Sequence, residues 1–245
     1  ENGVNRVAGM YMMMTKKGTP GTESNRIEAA TAVASFAQYK LNYKKFTLLP
    51  GLRYENITMS KNDYGKNDPD RTGIALKTQS NKIDIWIPGV GLHYAVTAQL
   101  NAFVGIHKGF SPPGSQEGTL PEESVNYEVG SKYQNNRTKV EVIAFYNDYQ
   151  NLLGVDFNAG GGSGSNDLFN AGKAKVYGLE SSASYDLLPQ TAKFSLPVGV
   201  NYTYTHGQFL NAFESDYEPW AVVSSGDIMP YLPTHQGVVF ASLEH

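Results

Sequence analysis

The chain contains no cysteine among its 245 residues. Disulfide bonds, cysteine-ligated metal sites and thiol catalysis are therefore excluded. Long hydrophobic runs are also missing: the best, from Val7 to Met14, is far shorter than the roughly 18 apolar residues that a transmembrane helix needs. Any crossing of a membrane must therefore be made by strands.

A basic excess is missing as well. The chain has 20 Lys and Arg against 23 Asp and Glu, for a net charge of -3, and its cations are not clustered. A phosphate-binding surface needs clustered cations, so nucleic acid is not expected as a partner. The first residues do not resemble a signal peptide, and we expect Glu1 to begin a mature or excised piece.

The residues that are abundant favour strands and turns. The chain holds 16 Tyr, 11 Phe and 25 Gly, and its apolar residues alternate with polar ones. From Phe194 to Thr205, for example, every second residue is aromatic or aliphatic and the intervening ones are polar or small. Such alternation predicts antiparallel strands with one apolar face.

Breaks at Gly, Pro, Asn and Asp clusters divide this pattern into about ten strands. Several are longer than the roughly 9–11 residues with which a tilted strand crosses a bilayer. We therefore predict an all-β, transmembrane, antiparallel up-and-down barrel, with residues 1–245 forming one partial barrel domain. The predicted strands are 4–15, 29–43, 46–60, 81–97, 100–111, 122–134, 137–153, 170–187, 193–206 and 234–245.

The predicted connections alternate in length along the chain. Short turns fall at 44–45, 97–99, 135–136 and 188–192, and long connections fall at 16–28, 61–80, 112–121, 154–169 and 207–233. Outer-membrane barrels have short periplasmic turns and long extracellular loops. The alternation therefore favours a membrane barrel over a soluble sandwich or propeller and predicts which strand ends face outside.

The face opposite the apolar one is rich in glycine. These glycines indicate either a barrel too wide for its side chains to fill or positions at which the strands bend. The first interpretation implies that the strands belong to a larger barrel. The glycines are Gly51, Gly89, Gly91, Gly105, Gly109, Gly130, Gly178 and Gly199.

Six local strings fall in order at strands or strand ends. They are LPGLRYE (49–55), HKGFSPP (107–113), ESVNYEVGSKY (123–133), FYNDY (145–149), VYGLE (176–180) and YLPTHQ (231–236). Together they resemble the barrel of TonB-dependent outer-membrane receptors, and most of all the ferric dicitrate receptor branch. The resemblance covers roughly residues 30–245.

The resemblance implies about ten strands of a 22-stranded barrel in the bacterial outer membrane. It implies that a plug domain, absent from this sequence, carries the contact to the TonB energy-transducing complex. The other implied partners are outer-membrane lipid, lipopolysaccharide, and phages or bacteriocins that bind the exposed loops. The cargo would be a ferric chelate, and no resident cofactor is expected.

No constellation for an enzyme stands out. The Gly-rich loop 160–165 lacks the spacing of a nucleophile elbow and the strand-to-helix context of a dinucleotide site. Glu122 and Glu123 have no partner suited to acid and base catalysis. Among the histidines, only His206 and His235, which flank the loop 207–233, are weak candidates for contact with a metal or haem.

An anionic chelate would need cations at the extracellular mouth. The candidates are Lys61, Lys66, Arg71 and Lys77, whose alternative role is that of a solvated loop that also contacts lipopolysaccharide phosphates. Arg137 follows a short turn and is excluded. Trp220 is the aromatic candidate for ligand contact, although aromatic residues near strand ends more often form interfacial girdles.

The sequence thus predicts a receptor that binds ferric citrate or a similar siderophore and imports it with TonB-supplied energy. The alternatives are a receptor for haem, cobalamin or another metal complex, and a self-contained ten-stranded outer-membrane enzyme or adhesin. Inward-facing Arg53 and Glu55 are expected to support the structure. A soluble all-β domain ranks last.

Overall fold

The structure is a computed structural model, and it consists of strands joined by turns and loops. Among the described residues no helix is long and apolar enough to cross a membrane. The backbone is described for residues 4–7, 10–13, 24–155, 168–170, 172–189, 191–214 and 222–244.

Sixteen strands are present in the part of the chain that the structure describes. The long ones carry the alternating pattern, and the short ones lie near the first residues or in the long connections. They are β1 (Val4–Val7), β2 (Met10–Met13), β3 (Arg26–Gln38), β4 (Leu41–Tyr43), β5 (Phe46–Asp63), β6 (Lys77–Ala95), β7 (Leu100–Ser111), β8 (Glu122–Gln134), β9 (Thr138–Gln150), β10 (Leu153–Val155), β11 (Leu168–Asn170), β12 (Ala174–Asp186), β13 (Pro197–Phe209), β14 (Phe213–Glu214), β15 (Val222–Val223) and β16 (His235–Ala241).

The main sheet is an antiparallel meander, in which strands that are adjacent in the sheet are also consecutive along the chain among the strands of that sheet. Its order is β16-β13-β12-β9-β8-β7-β6-β5-β3, with β4 also paired to β5. Strands β3 and β4 pair with β5 in one continuous register. Within the described residues, strands β3 and β16 form the two edges and are not paired with each other. The predicted all-β, up-and-down arrangement is confirmed, as part of a barrel.

The segment predicted as one strand over 4–15 is instead a hairpin. Strands β1 and β2 pair with each other, from Val4 opposite Met13 to Val7 opposite Met10. In the described residues neither strand joins the main sheet. The prediction was wrong because a run of apolar residues carries no information about where the chain reverses direction.

The connections of the main sheet alternate in length only in part, because 187–196, predicted as the short turn 188–192, has the same ten residues as 112–121 at the opposite end. At one end, here called the short-turn end, strands are joined by residues 44–45, 96–99, 135–137 and 187–196. The opposite end, here called the long-loop end, carries the connections 64–76, 112–121, 151–173 and 210–234, two of which contain a short hairpin.

The outward face of the sheet is apolar through its middle. Paired residues share a face, so the register places Val90, Ile106 and Tyr127 side by side on adjacent strands. Val104, Val129, Val200 and Val239 on this face are all exposed in the described chain. An exposed apolar band of this kind indicates contact with lipid.

Aromatic side chains border this band at both ends. Toward the long loops, Tyr127, Tyr146, Tyr177 and His206 form a row with ring centroids 6.2, 6.4 and 5.2 Å apart, and Tyr54 and Trp86 continue it 4.7 Å from each other. This is the long-loop belt. The short-turn belt consists of Phe46, Tyr94, Tyr133 and Tyr185.

The two belts define the tilt of the strands. When the pairing is followed strand by strand from β12 to β6, the belt residue on β6 lies four residues away from the position that is level with the belt residue on β12. This holds for the long-loop belt, from Tyr177 to Trp86, and for the short-turn belt, from Tyr185 to Tyr94. Four residues are about 13 Å along a strand, and four strand spacings are about 19 Å across the sheet. The resulting tilt of about 35° lies in the range of outer-membrane barrels.

The depth of the band follows from the same spacing. Tyr177 and Tyr185 are eight residues apart, as are Trp86 and Tyr94. Eight residues tilted by about 35° span roughly 22 Å, close to the apolar band of about 25 Å in such barrels.

The glycines of the inward face do not leave empty space beside them. Three of them lie opposite a phenylalanine on the neighbouring strand, and the ring covers the position that a Cβ atom would occupy. The pairs are Phe103 with Gly130, Phe145 with Gly178 and Phe240 with Gly199. These glycines are therefore explained by close packing of rings, which neither of the two predicted interpretations included.

The polarity of β5 and β6 reverses beyond Tyr54 and Trp86. Ile57, Met59 and Ile83 point inward and form a buried cluster with Phe110 packed against it. Outward positions on the same segments, such as Thr58 and Asp84, are polar and exposed. These strands therefore continue past the apolar band with apolar residues facing inward and polar residues facing outward, as in a soluble protein.

Candidate ligand-binding mouth

The connection 64–76 is held in one conformation by a network around Asn25. The Asn25 side-chain amide donates to the carbonyl oxygens of Gly65 at 3.1 Å and Asp68 at 2.5 Å. Its oxygen accepts a hydrogen bond from Arg71 Nε at 2.9 Å. The Arg71 guanidinium also lies 5.7 Å from the centre of the Tyr64 ring.

The Asp68 carboxylate closes the same connection. It accepts hydrogen bonds from the Thr72 amide at 2.8 Å, the Thr72 hydroxyl at 3.0 Å and the Gly73 amide at 2.8 Å. The Thr72 amide, followed by the Gly73 amide, lowers the pKa of the Asp68 carboxyl and outweighs the opposing effect of desolvation. The loop is thus ordered by an ionised carboxylate.

The four predicted cations all lie at the end of the β5–β6 hairpin, but they differ in their exposure and in their contacts. Lys66 and Lys77 are exposed, and Lys77 stands opposite Asp63 in the ladder. Arg71 is engaged by Asn25 and Tyr64. Lys61 is only 4% exposed. Lys61 is therefore the least accessible of the four to a ligand arriving from solvent, whereas Lys66, Arg71 and Lys77 are all exposed.

The two histidines that were weak metal candidates point outward. The His206 ring lies 5.2 Å from that of Tyr177. His235 Nδ1 shares a hydrogen bond of 2.8 Å with the Tyr202 hydroxyl, and its ring lies 5.4 Å from Tyr204. These contacts place both histidines among the aromatic residues that border the apolar band, which favours a role at the membrane interface over metal binding.

No group of three or more His, Asp or Glu side chains suited to a metal occurs in the described residues. Trp220 and the Gly-rich loop 160–165 lie outside those residues. The prediction that Trp220 contacts a ligand therefore stays a prediction.

A second group of contacts, not predicted from the sequence, fixes the other long connections. Leu152, Ala174, Phe209 and Val223 form a buried cluster that includes residues from two long connections. Asn81 Nδ2 donates to the carbonyls of Thr119 at 2.9 Å and Gly114 at 3.4 Å, which ties 112–121 to β6. The only indication of these contacts in the sequence was that the segments predicted to be long loops contain aromatic and aliphatic residues.

Arg137 lies at the short-turn end, as predicted. Its guanidinium donates to the carbonyls of Asp186 at 2.8 Å and Leu187 at 3.2 Å, and it lies 4.7 Å from the Tyr185 ring centre. It links two neighbouring short turns. Arg53 and Glu55 face inward and form an ion pair of 2.5 Å, which agrees with the structural role expected for them.

Comparison with known proteins identifies the class and then the family. A tilted antiparallel meander with a lipid-facing band and its longest loops at one end is the architecture of an outer-membrane β-barrel. Residues 6–245 match the family model of the TonB dependent receptor-like β-barrel. The chain belongs to this family of outer-membrane transport receptors, and its long-loop end therefore faces outside.

Solved structures with this fold include transporters and receptors whose descriptions refer to different metals or chelates. The ferric citrate transporter FecA, unliganded, is 17% identical with a TM-score of 0.66 over 96% of this chain and 32% of its own. The ferric-catecholate import receptor Fiu from K12 E. coli is 19% identical, with a TM-score of 0.64 over 98% and 37%. The copper transporter OprC is 13% identical, with a TM-score of 0.64 over 89% and 32%.

The chain spans about a third of the length of these structures. At such identities the likeness concerns the fold alone.

Proposed function

We propose that the chain is part of an outer-membrane receptor that binds a ferric chelate at its outer mouth and imports it with energy supplied through TonB. The observation that carries this proposal is the match of residues 6–245 to the receptor barrel family. TonB-dependent receptors interact with TonB and have a plug domain, so transport would be an activity of a protein longer than these 245 residues.

The hairpin end of β5 and β6 is our candidate for first contact with the chelate. Lys66 and Lys77 are exposed there, and the network of Asn25, Asp68 and Arg71 holds the loop between them. A preorganised loop loses less conformational entropy on binding than a mobile one. Cations on such a loop suit a chelate rich in carboxylate or phenolate oxygens.

Ferric citrate is the chelate that we propose. The support is the set of six sequence strings that resemble the ferric dicitrate receptor branch. The multiply charged citrate complex matches a mouth lined by lysines better than a neutral ligand would.

The test is uptake of radiolabelled ferric citrate by cells whose only receptor is the full-length protein. We expect saturable uptake that disappears without TonB. The charge reversals Lys66→Glu and Lys77→Glu together should weaken binding about tenfold or more, since two attractive contacts become repulsive.

The matched control is Lys193→Glu, which makes the same charge reversal on an exposed residue of a short turn at the opposite end. It should leave ferric citrate binding unchanged. Unchanged growth on ferric citrate as sole iron source, with or without the receptor, would refute the specific ligand.

The second candidate is a receptor for haem, cobalamin or another metal complex. It is favoured by the fold, since OprC is described as a copper transporter. Competition separates the two proposals. Excess ferric citrate should displace the metal complex bound to the receptor if our proposal is right. Haem, cobalamin or copper should displace that complex if the alternative is right.

Three further partners are proposed on the family resemblance. The exposed lysines could contact lipopolysaccharide phosphates, the inward face would receive the plug domain, and phages or bacteriocins could attach to the long loops. A self-contained ten-stranded protein is not favoured, because in the part of the chain that the structure describes the edge strands β3 and β16 are not paired with each other.

A further inference from the structure

The short-turn end is basic although the chain as a whole is not. The chain has 20 Lys and Arg against 23 Asp and Glu. The four connections at the short-turn end, with the four residues on either side of each, contain seven basic residues and only two acidic ones. This end faces the periplasm, because the long-loop end faces outside. The basic residues are Lys40, Lys44 and Lys45 around the first connection, Lys132, Arg137 and Lys139 around the third, and Lys193 in the last.

The acidic residues at this end are already engaged. Glu141 forms an ion pair of 3.6 Å with Lys132. The Asp186 carboxylate accepts hydrogen bonds from the amides of the last connection, at 2.8 and 3.0 Å. Lys139 and Lys193, in contrast, are exposed and form no ion pair with the described residues. An anionic ligand arriving from the periplasm would therefore meet positive charge that no ion pair neutralises.

Amide side chains lie beside these cations. They line an open cavity of about 870 Å³ at the rim, here called the amide cradle. In the ladder Asn101 stands opposite Lys132, and Gln134 stands opposite Lys139, so these amides and cations share the inward face. The cradle therefore offers neutral donors and acceptors next to positive charge. The lining amides are Gln99, Asn101, Gln134 and Asn136.

Hydrogen bonds fix the walls of the amide cradle. The Asn135 side-chain oxygen accepts from the backbone amides of Arg137 at 2.9 Å and Thr138 at 2.7 Å. The Gln134 backbone amide donates to the Gln99 carbonyl at 2.9 Å. The Arg137 guanidinium joins this turn to the next one. A cradle held in this way loses little conformational entropy when a ligand binds.

The position and the lining of the cradle argue against two kinds of partner. Asn101 and Gln134 face inward, so a phospholipid headgroup on the outside of the barrel would not reach them. Protein interfaces depend on aromatic anchors that become buried. Tyr185 is the only aromatic residue in the described lining, and the Arg137 guanidinium already lies 4.7 Å from the centre of its ring. These features favour a hydrophilic polymer.

Peptidoglycan has the matching chemistry. It is the polymer next to the periplasmic face of the outer membrane, and its peptide stems carry free carboxylates along a chain of amides. Lysine side chains attract carboxylates, and the side chains of Asn and Gln can donate to and accept from peptide amides. The N-acetyl sugars of its glycan strands provide further amides and hydroxyls.

We propose that the short-turn end binds a peptide stem of peptidoglycan, with Lys139 and Lys193 attracting its carboxylates and the amide cradle pairing with its amides. This contact would tether the receptor to the cell wall. It does not depend on which metal complex is transported.

The experiment measures cosedimentation of the full-length receptor, in detergent, with purified peptidoglycan sacculi. We expect saturable binding, for which the soluble disaccharide tetrapeptide released from the same sacculi competes. The combined charge reversals Lys139→Glu and Lys193→Glu should weaken binding about tenfold or more, since two attractive contacts become repulsive. Added salt should weaken binding of the unsubstituted protein, because it screens exposed charges.

The matched control is the double variant Lys66→Glu and Lys77→Glu, which makes the same change in net charge at the long-loop end. It should bind sacculi as the unsubstituted protein does. In the cradle, Gln134→Leu should weaken binding severalfold, whereas Gln134→Asn, which keeps an amide, should bind within about threefold of the unsubstituted protein. Each variant must first show the shift in gel migration on heating that marks a folded barrel.

Three outcomes would overturn the proposal. In the first, the reversals at Lys139 and Lys193 leave binding to sacculi unchanged. In the second, the reversals at Lys66 and Lys77 weaken binding to the same extent, which would assign it to net charge alone. In the third, vesicles that contain phosphatidylglycerol compete with the sacculi and the disaccharide tetrapeptide does not, which would assign the cations to lipid headgroups.

Discussion

At the scale of single residues, the inner face shows why glycine is required where it pairs with phenylalanine. An ideal Cβ atom at Gly130 would lie 2.5 Å from Phe103 Cζ and 2.9 Å from the Val142 carbonyl oxygen. Both distances are too short for a carbon atom, and the carbonyl belongs to a ladder that cannot shift freely. The ring and the glycine therefore form one packing unit across two strands.

Substituting these glycines tests that unit. Gly130→Ala should lower the free energy of unfolding by about 1–3 kcal/mol, the usual result of adding a methyl group to a closely packed site. The measurement is urea unfolding of the full-length protein in lipid vesicles.

The control is Gly105→Ala on β7, where the nearest atom to the added Cβ would be the Val90 carbonyl oxygen at an ordinary 4.0 Å. It should change stability by less than about 0.5 kcal/mol. If both alanines have the same effect, the ring packing is not what selects glycine at position 130.

Asp68 makes the order of the loop 64–76 depend on pH. Its pKa is lowered in the folded loop by hydrogen bonds from Thr72 and Gly73. The stabilisation of the loop by the ionised Asp68 carboxylate is therefore fully present above the carboxyl's unfolded pKa of about 4, and it is lost as the pH falls through the lower, folded pKa. Near neutral pH the loop should stay ordered.

Asp68→Asn should reproduce the acid state at neutral pH. The amide accepts fewer and weaker hydrogen bonds than the carboxylate, so the loop amides of Thr72 and Gly73 should exchange with solvent about tenfold faster. Hydrogen exchange followed by mass spectrometry, expressed as protection factors, measures this. Equal protection in the variant and the unsubstituted protein at pH 7 would contradict the role of the carboxylate.

The candidate site could be predicted from sequence only in part. The pattern Lys61, Lys66, Arg71 and Lys77 identified a cationic hairpin end, which the structure contains. It could not reveal that Arg71 is held by Asn25, since those residues are 46 positions apart, nor that Lys61 is buried. Such contacts depend on strand pairing, which local patterns do not encode.

At the scale of the strand, position relative to the two belts decides which side chains are tolerated outward. Val129 lies between the belts on β8 and is 57% exposed, whereas Thr58 lies beyond Tyr54 on β5 and is also exposed. Both point outward, so the same substitution tests depth alone.

Val129→Arg should cost about 2–4 kcal/mol in folding free energy, as expected for arginine near the middle of a bilayer. Thr58→Arg should cost less than about 1 kcal/mol, because it meets headgroups or water. Unfolding titrations in vesicles of one composition give both values. Equal costs would mean that the polarity reversal at Tyr54 and Trp86 does not mark the membrane boundary.

The strand limits were predictable where outward polarity stays constant. The limits of β7 and β8 agree with the predicted 100–111 and 122–134, because alternation runs through them and turn residues end them. Strands β5 and β6 were predicted too short, since 61–63 and 77–80 are polar. In the structure these residues stay in the ladder because they lie beyond the lipid, where polar side chains can face outward.

At the scale of the molecule, the main sheet is an open one. The edge strand β3 has a partner only in β5, and β16 only in β13, in the part of the chain that the structure describes. In lipid each unpaired backbone group costs several kcal/mol, so an open edge cannot remain exposed to acyl chains. The matching structures, about three times longer, are consistent with further strands that cover both edges.

This leads to a prediction for residues 1–245 expressed alone. We expect them to aggregate or remain unfolded in detergent and vesicles, because long unpaired edges pair with other chains. The full-length protein should insert and show gel migration that changes on heating. A folded, monomeric, heat-modifiable species from residues 1–245 would instead mean that β3 and β16 meet in the membrane, and the barrel would then be a small, self-contained one.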